Sequence, residues 1–267
     1  MRIFPAQVIL ASFIFFGNFQ NGQAQTILAG VKGGISIPNL TSSSSNPLNN
    51  GYQSGLGPDF AVFGEYEVSD LFSVELSAEY SAQGGKKNGK QAVPNPISQT
   101  PPYLYANFNA TARLNYLLIP LLAKFGMDLD QQGKWRVYAD AGPFVGFLLS
   151  ARTVTSGTSN VYNDEAETDS LLSGPISFDA DTTIKDQLNT FNYGIEANIG
   201  LSYQFNQHKL FFEAGGNYGF KIIQKDPADG QNRAGAVVIR IGYAYRFGAS
   251  GRNSKNAKAV RSPNVFK

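Results

Sequence analysis

The sequence predicts an all-β chain, an eight-stranded antiparallel up-and-down transmembrane β-barrel. Three observations carry that prediction. Segments alternating strictly between apolar and polar residues recur along the chain, the apolar face of each is crowded with aromatic rings, and the connections between them are long and short by turns. The 20 Phe, 13 Tyr and 28 Gly in 267 residues point the same way, because rings suit a pleated surface and glycine suits turns and tight bends. That length fits one barrel-type domain.

The first element precedes the barrel. Arg2 supplies a positive start, Ile3 to Phe16 is apolar apart from Pro5, Gln7 and Ser12, and Gly22-Gln23-Ala24 puts small residues at a cleavage site. Residues 1–24 therefore read as a secretory signal peptide. An uncleaved anchor is the alternative, but a spanning helix needs about 20 apolar residues. No later segment approaches that length without charge, so any membrane crossing by the mature chain is made by strands.

The barrel is expected over residues 25–248. Phe72 to Ser81 places an apolar residue at every even position and Ser or Glu at every odd one. Phe191 to Phe205 alternates over a longer run, with Phe191, Tyr193, Ile195, Ala197, Ile199, Leu201, Tyr203 and Phe205 on one face. A period of two is the signature of a strand and fits no helix. Six further segments alternate less cleanly, at about 26–37, 56–68, 111–126, 135–150, 209–223 and 234–247. Leu117 to Leu122 is a continuous apolar run whose interior Pro120 cannot donate to a ladder, so a bulge is expected there. Long connections (38–54, 84–109, 153–189, 225–232) fall at one end, and short ones (69–71, 128–134, 206–208) at the other. Transmembrane barrels show this asymmetry. An even strand count brings both termini to the short-turn side, which is expected to be periplasmic.

Volume decides which face looks outward. The interior of an eight-stranded barrel holds little beyond side chains. Phe60, Tyr66, Phe72, Tyr80, Phe125, Trp135, Phe147, Phe191, Tyr193, Tyr203, Phe205, Phe212, Tyr218, Tyr243, Tyr245 and Phe247 would overfill it. A soluble, lipocalin-like barrel with those rings inside is the competing reading. The opposite face is rich in Gly and Ser and carries Lys32, Glu65, Glu75, Glu79, Lys124, Arg136, Asp140, Glu196, Glu213, Lys221, Arg240 and Arg246. These are expected to form a structural polar network filling the lumen.

Four stretches carry a family resemblance. Leu114-Asn115-Tyr116-Leu117-Leu118-Ile119-Pro120-Leu121-Leu122-Ala123-Lys124-Phe125 resembles the "LxYLEIPLLxKY" strand of the PorT-like outer-membrane β-barrel family of Bacteroidetes. Ala141 to Leu149 resembles its "GAGPYVGYLL" strand, Gly30 to Ser36 its "GVKGGLN" opening, and Ile241 to Phe247 its "LGYRF" close. The likeness runs in matching order from Gln25 to Gly248, with Leu118 standing where the family usually has Glu. It implies a barrel in the bacterial outer membrane. Some relatives serve protein secretion or gliding, and most have no assigned role.

Little in the sequence argues for catalysis. The chain has no Cys and one histidine, His208, in an expected short turn. A nucleophile–base set needs more than that. Glu75, Glu79, Glu196 and Glu213 are read as structural partners of the lumen cations rather than as an acid/base pair. The loop acids Asp164, Glu165, Glu167, Asp169, Asp179, Asp181 and Asp186 lack the spacing of a calcium loop and read as solvated. Gly84 to Lys90 lacks the end of a phosphate loop. Residues 249–267 form a basic tail with Arg252, Lys255, Lys258, Arg261 and Lys267 and no acid, read as disordered and periplasmic.

The expectation is therefore a non-enzymatic barrel, structural, adhesive or part of an assembly, displaying loops and linked by the resemblance to secretion. The alternative is a membrane-embedded enzyme or small-ligand barrel with its site near the loops. A pore is disfavoured by strand number. No cofactor or metal is expected. The partners expected are outer-membrane lipid and other envelope proteins, met through loops or tail, and not nucleic acid, since the net charge is only +2.

Overall fold

A computed structural model describes residues 26–42, 46–98 and 100–247; the expected signal peptide and basic tail lie outside these. Eight long strands dominate: β1 (Thr26–Thr41), β2 (Gly57–Glu67), β3 (Phe72–Lys87), β4 (Asn109–Asp128), β5 (Trp135–Ser156), β6 (Phe191–Phe205), β7 (His208–Gly219) and β8 (Arg233–Phe247). Each pairs antiparallel with the next, and β8 returns to β1 from Ile27 opposite Phe247 to Thr41 opposite Arg233. The ring is closed, so its strands have no free edge. Residues 26 and 247 both lie at the end carrying the short turns. No helix among the described residues is long and apolar enough to cross a membrane.

The two-residue period produces this arrangement directly. In β6 exposure alternates with burial from Phe191 to Ile199, and the rings and aliphatics of the apolar stripe stand outside, with Ile199 66% exposed and Ile241 69%. A soluble barrel would hide that stripe, so the lipocalin-like reading does not hold. Rings gather at the short-turn rim, where Phe72 meets Phe125 at 4.9 Å, Trp135 meets Tyr203 at 4.8 Å and Tyr245 meets Phe247 at 4.9 Å. Phe147, Phe191, Tyr193, Tyr218 and Phe220 form a second group towards the long loops. Two girdles around an apolar band are what a bilayer requires.

Several boundaries differ from the sequence expectation. β3, β4 and β5 run on beyond the apolar band, with Lys87 opposite Ala110 and Asn109 opposite Ser156, because tertiary pairing sustains strands that local pattern does not mark. β7 stops at Gly219 rather than reaching 223. The register shift between β4 and β5 lies at Asn115/Tyr116, where Leu149 is the extra residue, not at Pro120, which sits in register opposite Phe144. Pro120 has no N–H to give to the β3 side, and the β3 ladder is interrupted there for two pairs, between Leu76–Leu121 and Glu79–Leu118.

The interior holds rings that the two-face reading did not place, Tyr116 among them. Phe63, Tyr138, Phe144 and Phe211 all point inward and are buried. Each lies directly across the ladder from a glycine: Phe63 from Gly30, Tyr138 from Gly200, Phe144 from Gly194 and Phe211 from Gly242. The ring folds over the space a side chain would take; a Cβ at Gly30 would stand 2.7 Å from the Phe63 ring, and one at Gly194 2.7 Å from that of Phe144. Such pairing covers glycine backbone with apolar area and pins register. Gly200→Ala therefore displaces the Tyr138 ring and costs about 1–3 kcal/mol by overpacking. Gly64→Ala, into open space outside, is near neutral; urea unfolding of both variants in lipid vesicles checks the contrast.

Candidate functional site

Lys32, Asp59, Glu65, Glu75, Glu79, Lys124, Asp140, Glu196, Lys209, Glu213, Arg240 and Arg246 are all buried in the lumen. They come from all eight strands, because on each the inward positions share one parity. At the core, the Arg240 guanidinium donates to Asp59 at 2.5 Å and lies 2.6 Å from Glu79, 3.0 Å from Glu196 and 3.3 Å from Glu213. Lys32 bridges Glu75 at 2.9 Å and Glu213 at 3.1 Å. Lys124 joins Glu75, and lies 3.5 Å from Glu65 and 3.7 Å from Asp140. Lys209 meets Glu65 at 2.9 Å, and Asn198 donates to Asp140 at 2.8 Å and Glu196 at 3.1 Å. Each of the seven buried carboxyls contacts a buried cation.

Arg246 holds Glu67 through two bonds of 2.8 Å at the short-turn mouth. Arg136 stands at the same mouth, partly exposed and 3.0 Å from Asp128, and so belongs to the rim rather than to the buried core. Lys221 lies past the end of β7 and outside the network. Asp59 and Lys209 escaped the sequence reading although both share the inward parity of their strands, Asp59 with Glu65 and Lys209 with Glu213.

An apolar layer closes the lumen above this network, and a small apolar cluster sits within its lower part, with Glu65, Lys209 and Arg246 on the short-turn side of it. In that cluster Leu28, Phe63, Tyr138, Phe211 and Ala244 pack together. On the long-loop side Leu40, Leu114, Tyr116, Leu118, Phe144, Leu148, Ala151 and Ala234 close over the charges, joined by Leu188 and Ile223 from the loops. Leu118, in the place of the family's usual Glu, is 1% exposed and belongs to this upper layer. The network is thus complete without a carboxylate there. Charges sealed in this way stay ionised only by mutual pairing, so their value lies in fixing the register of eight strands more than in net stabilisation.

The long-loop end is an ordered platform on which Glu165, Asp169, Asp179, Asp181 and Asp186 stand exposed. Residues 90–94, 103–107 and 161–162 form a three-stranded sheet, residues 158–159 pair with 176–177, and residues 180–183 pair with β5. Phe108 stacks on Phe178 at 4.4 Å, and Leu104, Ala106 and Val161 are buried. The loop acids are tied into this structure. Asp179 accepts from the Gly157 backbone at 2.9 Å, Glu167 from Asn107 at 2.8 Å, and Asp181 pairs with Arg152. The Asp169 backbone N–H and the Thr168 hydroxyl hold the Asp164 carboxyl below the usual carboxylate range. Among the described residues no group of three or more His, Asp or Glu is arranged to hold a metal ion. His208 contacts Tyr243 at 2.7 Å and stacks on Phe205, within the lower girdle.

Comparison with known proteins agrees with this geometry. Residues 23–223 match the family described as "Outer membrane protein beta-barrel domain". The chain is similar to neisserial surface protein A (NspA), with 14% identity over 84% of this chain and 99% of that one and a TM-score of 0.36. It is similar to Ail, the attachment invasion locus protein of Yersinia pestis, with 12% identity over 82% and 98% and a TM-score of 0.35. It is also similar to the N-terminal β-barrel domain of Pseudomonas aeruginosa OprF, with 13% identity over 84% and 97% and a TM-score of 0.33. At such TM-scores the likenesses carry no argument of their own. No curated protein matches the chain.

Proposed function

Because the chain belongs to the outer membrane protein beta-barrel domain family, we propose that it is a non-enzymatic outer-membrane component whose barrel anchors a rigid platform outside the cell for contact with envelope or surface partners. The observation that carries this reading is the division of labour between a plugged lumen and an ordered long-loop end. A lumen filled by paired charges and closed by an apolar layer on the long-loop side leaves no passage through the barrel, which speaks against a pore. The platform has its own small core and leaves Ile97 77% and Leu172 42% exposed at the membrane-distal end, where side chains off a membrane find only protein or water. Both ends of the described chain then sit in the periplasm. The resemblance of Leu114 to Phe125 and its companion stretches to the PorT-like family favours a role in an assembly linked to protein secretion.

The test is chemical crosslinking in intact outer membranes followed by identification of what is captured. Wild type is expected to capture defined envelope proteins, and Ile97→Asp with Leu172→Asp to lose them while keeping the gel shift between heated and unheated barrel. Capture of lipid alone by wild type overturns the partner-binding reading, and stepwise conductance in a planar bilayer overturns the plugged one.

A further inference from the structure

The outward face of the barrel changes character abruptly at the long-loop end of β3, β4 and β5. On β4 the outward residues run Met127, Phe125, Ala123, Leu121, Ile119 and Leu117, then Asn115 and Arg113. On β5 the apolar ones end with Phe147 and Leu149, and after the bulge Ser150, bonded by the Asn115 side chain, and then Arg152 face outward. Arg113 and Arg152 stand directly opposite each other across the ladder, where Cβ atoms are only about 4.5–5.5 Å apart. Lys86 follows on β3, two residues beyond the Gly84–Arg113 pair. On the other flank Thr183 pairs with Arg152, and Lys185 places its ammonium on the Leu149 carbonyl at 2.9 Å. Four cations thus span three neighbouring strands and the short helical turn beside β5, in one row just past the apolar band.

Among the described residues this row is neutralised from within only at Arg152. Arg152 pairs with Asp181 at 2.9 Å, and Asp186 is the other acid on that segment. Arg113 and Lys86 are exposed and have no side-chain hydrogen bond or ion pair among the described residues. Like charges directly opposed across an antiparallel pair repel; Asp181 offsets this at Arg152, and an anion beside Arg113 would offset it on the other side. Upper rings stand on β2 and β3 (Phe60 stacked on Tyr80 at 4.8 Å) and on β5, β6 and β7, and the cations lie beyond that row on β3, β4 and β5. The boundary of the apolar band is where lipid headgroups lie.

We propose that Lys86, Arg113, Arg152 and Lys185 form a binding site for a lipid headgroup carrying clustered phosphates, in the leaflet at the long-loop end. Guanidiniums bind phosphate through paired N–H donors, and the outward aliphatics below, Leu117, Ile119 and Leu149, receive the acyl chains. The site depends on the lipid-facing outer surface and not on the proposed platform role, and binding in detergent is independent of which way the barrel is inserted.

The experiment uses the full chain in dodecyl maltoside, titrated with diphosphoryl lipid A or with the same lipid after enzymatic removal of its phosphates, and read by native mass spectrometry. Wild type is expected to retain the phosphorylated lipid in preference, with retention falling as salt rises. A cation beside an anionic surface is worth about fivefold in binding, so Lys86→Gln with Arg113→Gln weakens retention about 25-fold. Lys134→Gln, at the opposite rim, matches wild type. Neither replaced side chain in the double variant has a partner to lose, so the heat-dependent gel shift persists; if it does not, Arg113→Gln alone and the wild-type salt titration decide. Equal retention of the two lipids, insensitivity to salt, wild-type binding by the double variant, or displacement of the lipid by millimolar inorganic phosphate overturns the site.

Discussion

Arg240→Met is expected to lower the stability of the barrel in lipid by about 3–5 kcal/mol, the cost of removing one partner from a buried charge cluster. The side chain is wholly buried and meets carboxylates from β2, β3, β6 and β7 at 2.5–3.3 Å. Of these four, only Glu213 has a second cation, Lys32 at 3.1 Å. Removing the guanidinium strands Asp59, Glu79 and Glu196 in a space between the apolar layer above and the apolar cluster below. Arg240→Lys keeps the charge but not the planar fork, which serves several carboxylates at once, and falls between the two. The cause is charge and not lost volume, so Glu79→Gln with Glu196→Gln should recover part of the loss in the methionine background, a non-additivity expected within one network. Urea midpoints, followed by the gel shift of folded against unfolded barrel, measure all of these. A methionine variant with the wild-type midpoint would show that the cluster contributes nothing to stability.

How far this site was legible depends on the range of each contact. Parity along one strand is local, so the eight strands, their facing and most inward charges, Glu75, Glu79, Glu196, Glu213 and Arg240 among them, follow from the two-residue period. The same parity reaches Asp59 and Lys209, which were missed only because they lie near strand ends, where the pattern fades. The inward rings were hidden for a different reason. Phe63 inside a narrow lumen is unreasonable until Gly30 is known to lie opposite, and which residue faces which across two strands is set by closure of the whole ring. The bulge at Leu149 and the ordering of the loop platform belong to the same class. Phe108 and Phe178 are seventy positions apart, and no local signal announces the backbone partners of the acids between them.

Ile199→Arg tests the opposite face and separates the two environments this chain could have had. Ile199 stands on the outer surface of β6, between Ala139 of β5 and Ala214 of β7, and is 66% exposed. It is four outward positions from Phe191 in the upper girdle and three from Phe205 in the lower, so it lies near the middle of the apolar band. A guanidinium there must leave water for hydrocarbon, at a cost of about 2–4 kcal/mol for a barrel strand at the bilayer midplane. On a water-facing surface the same change would be neutral or favourable, since an exposed isoleucine has nothing to lose. Ile199→Val is expected to stay near wild type, because it alters only contact with lipid tails. Ser202→Arg, on the inward face, where Ser202 is 3% exposed, acts through crowding beside Arg136 and is indifferent to lipid. Refolding titrations in bilayers of two thicknesses distinguish the causes: the Ile199→Arg penalty grows with the thicker hydrocarbon layer and the Ser202→Arg penalty does not. Equal tolerance of arginine and valine at position 199 would mean that the aromatic stripe faces something other than lipid.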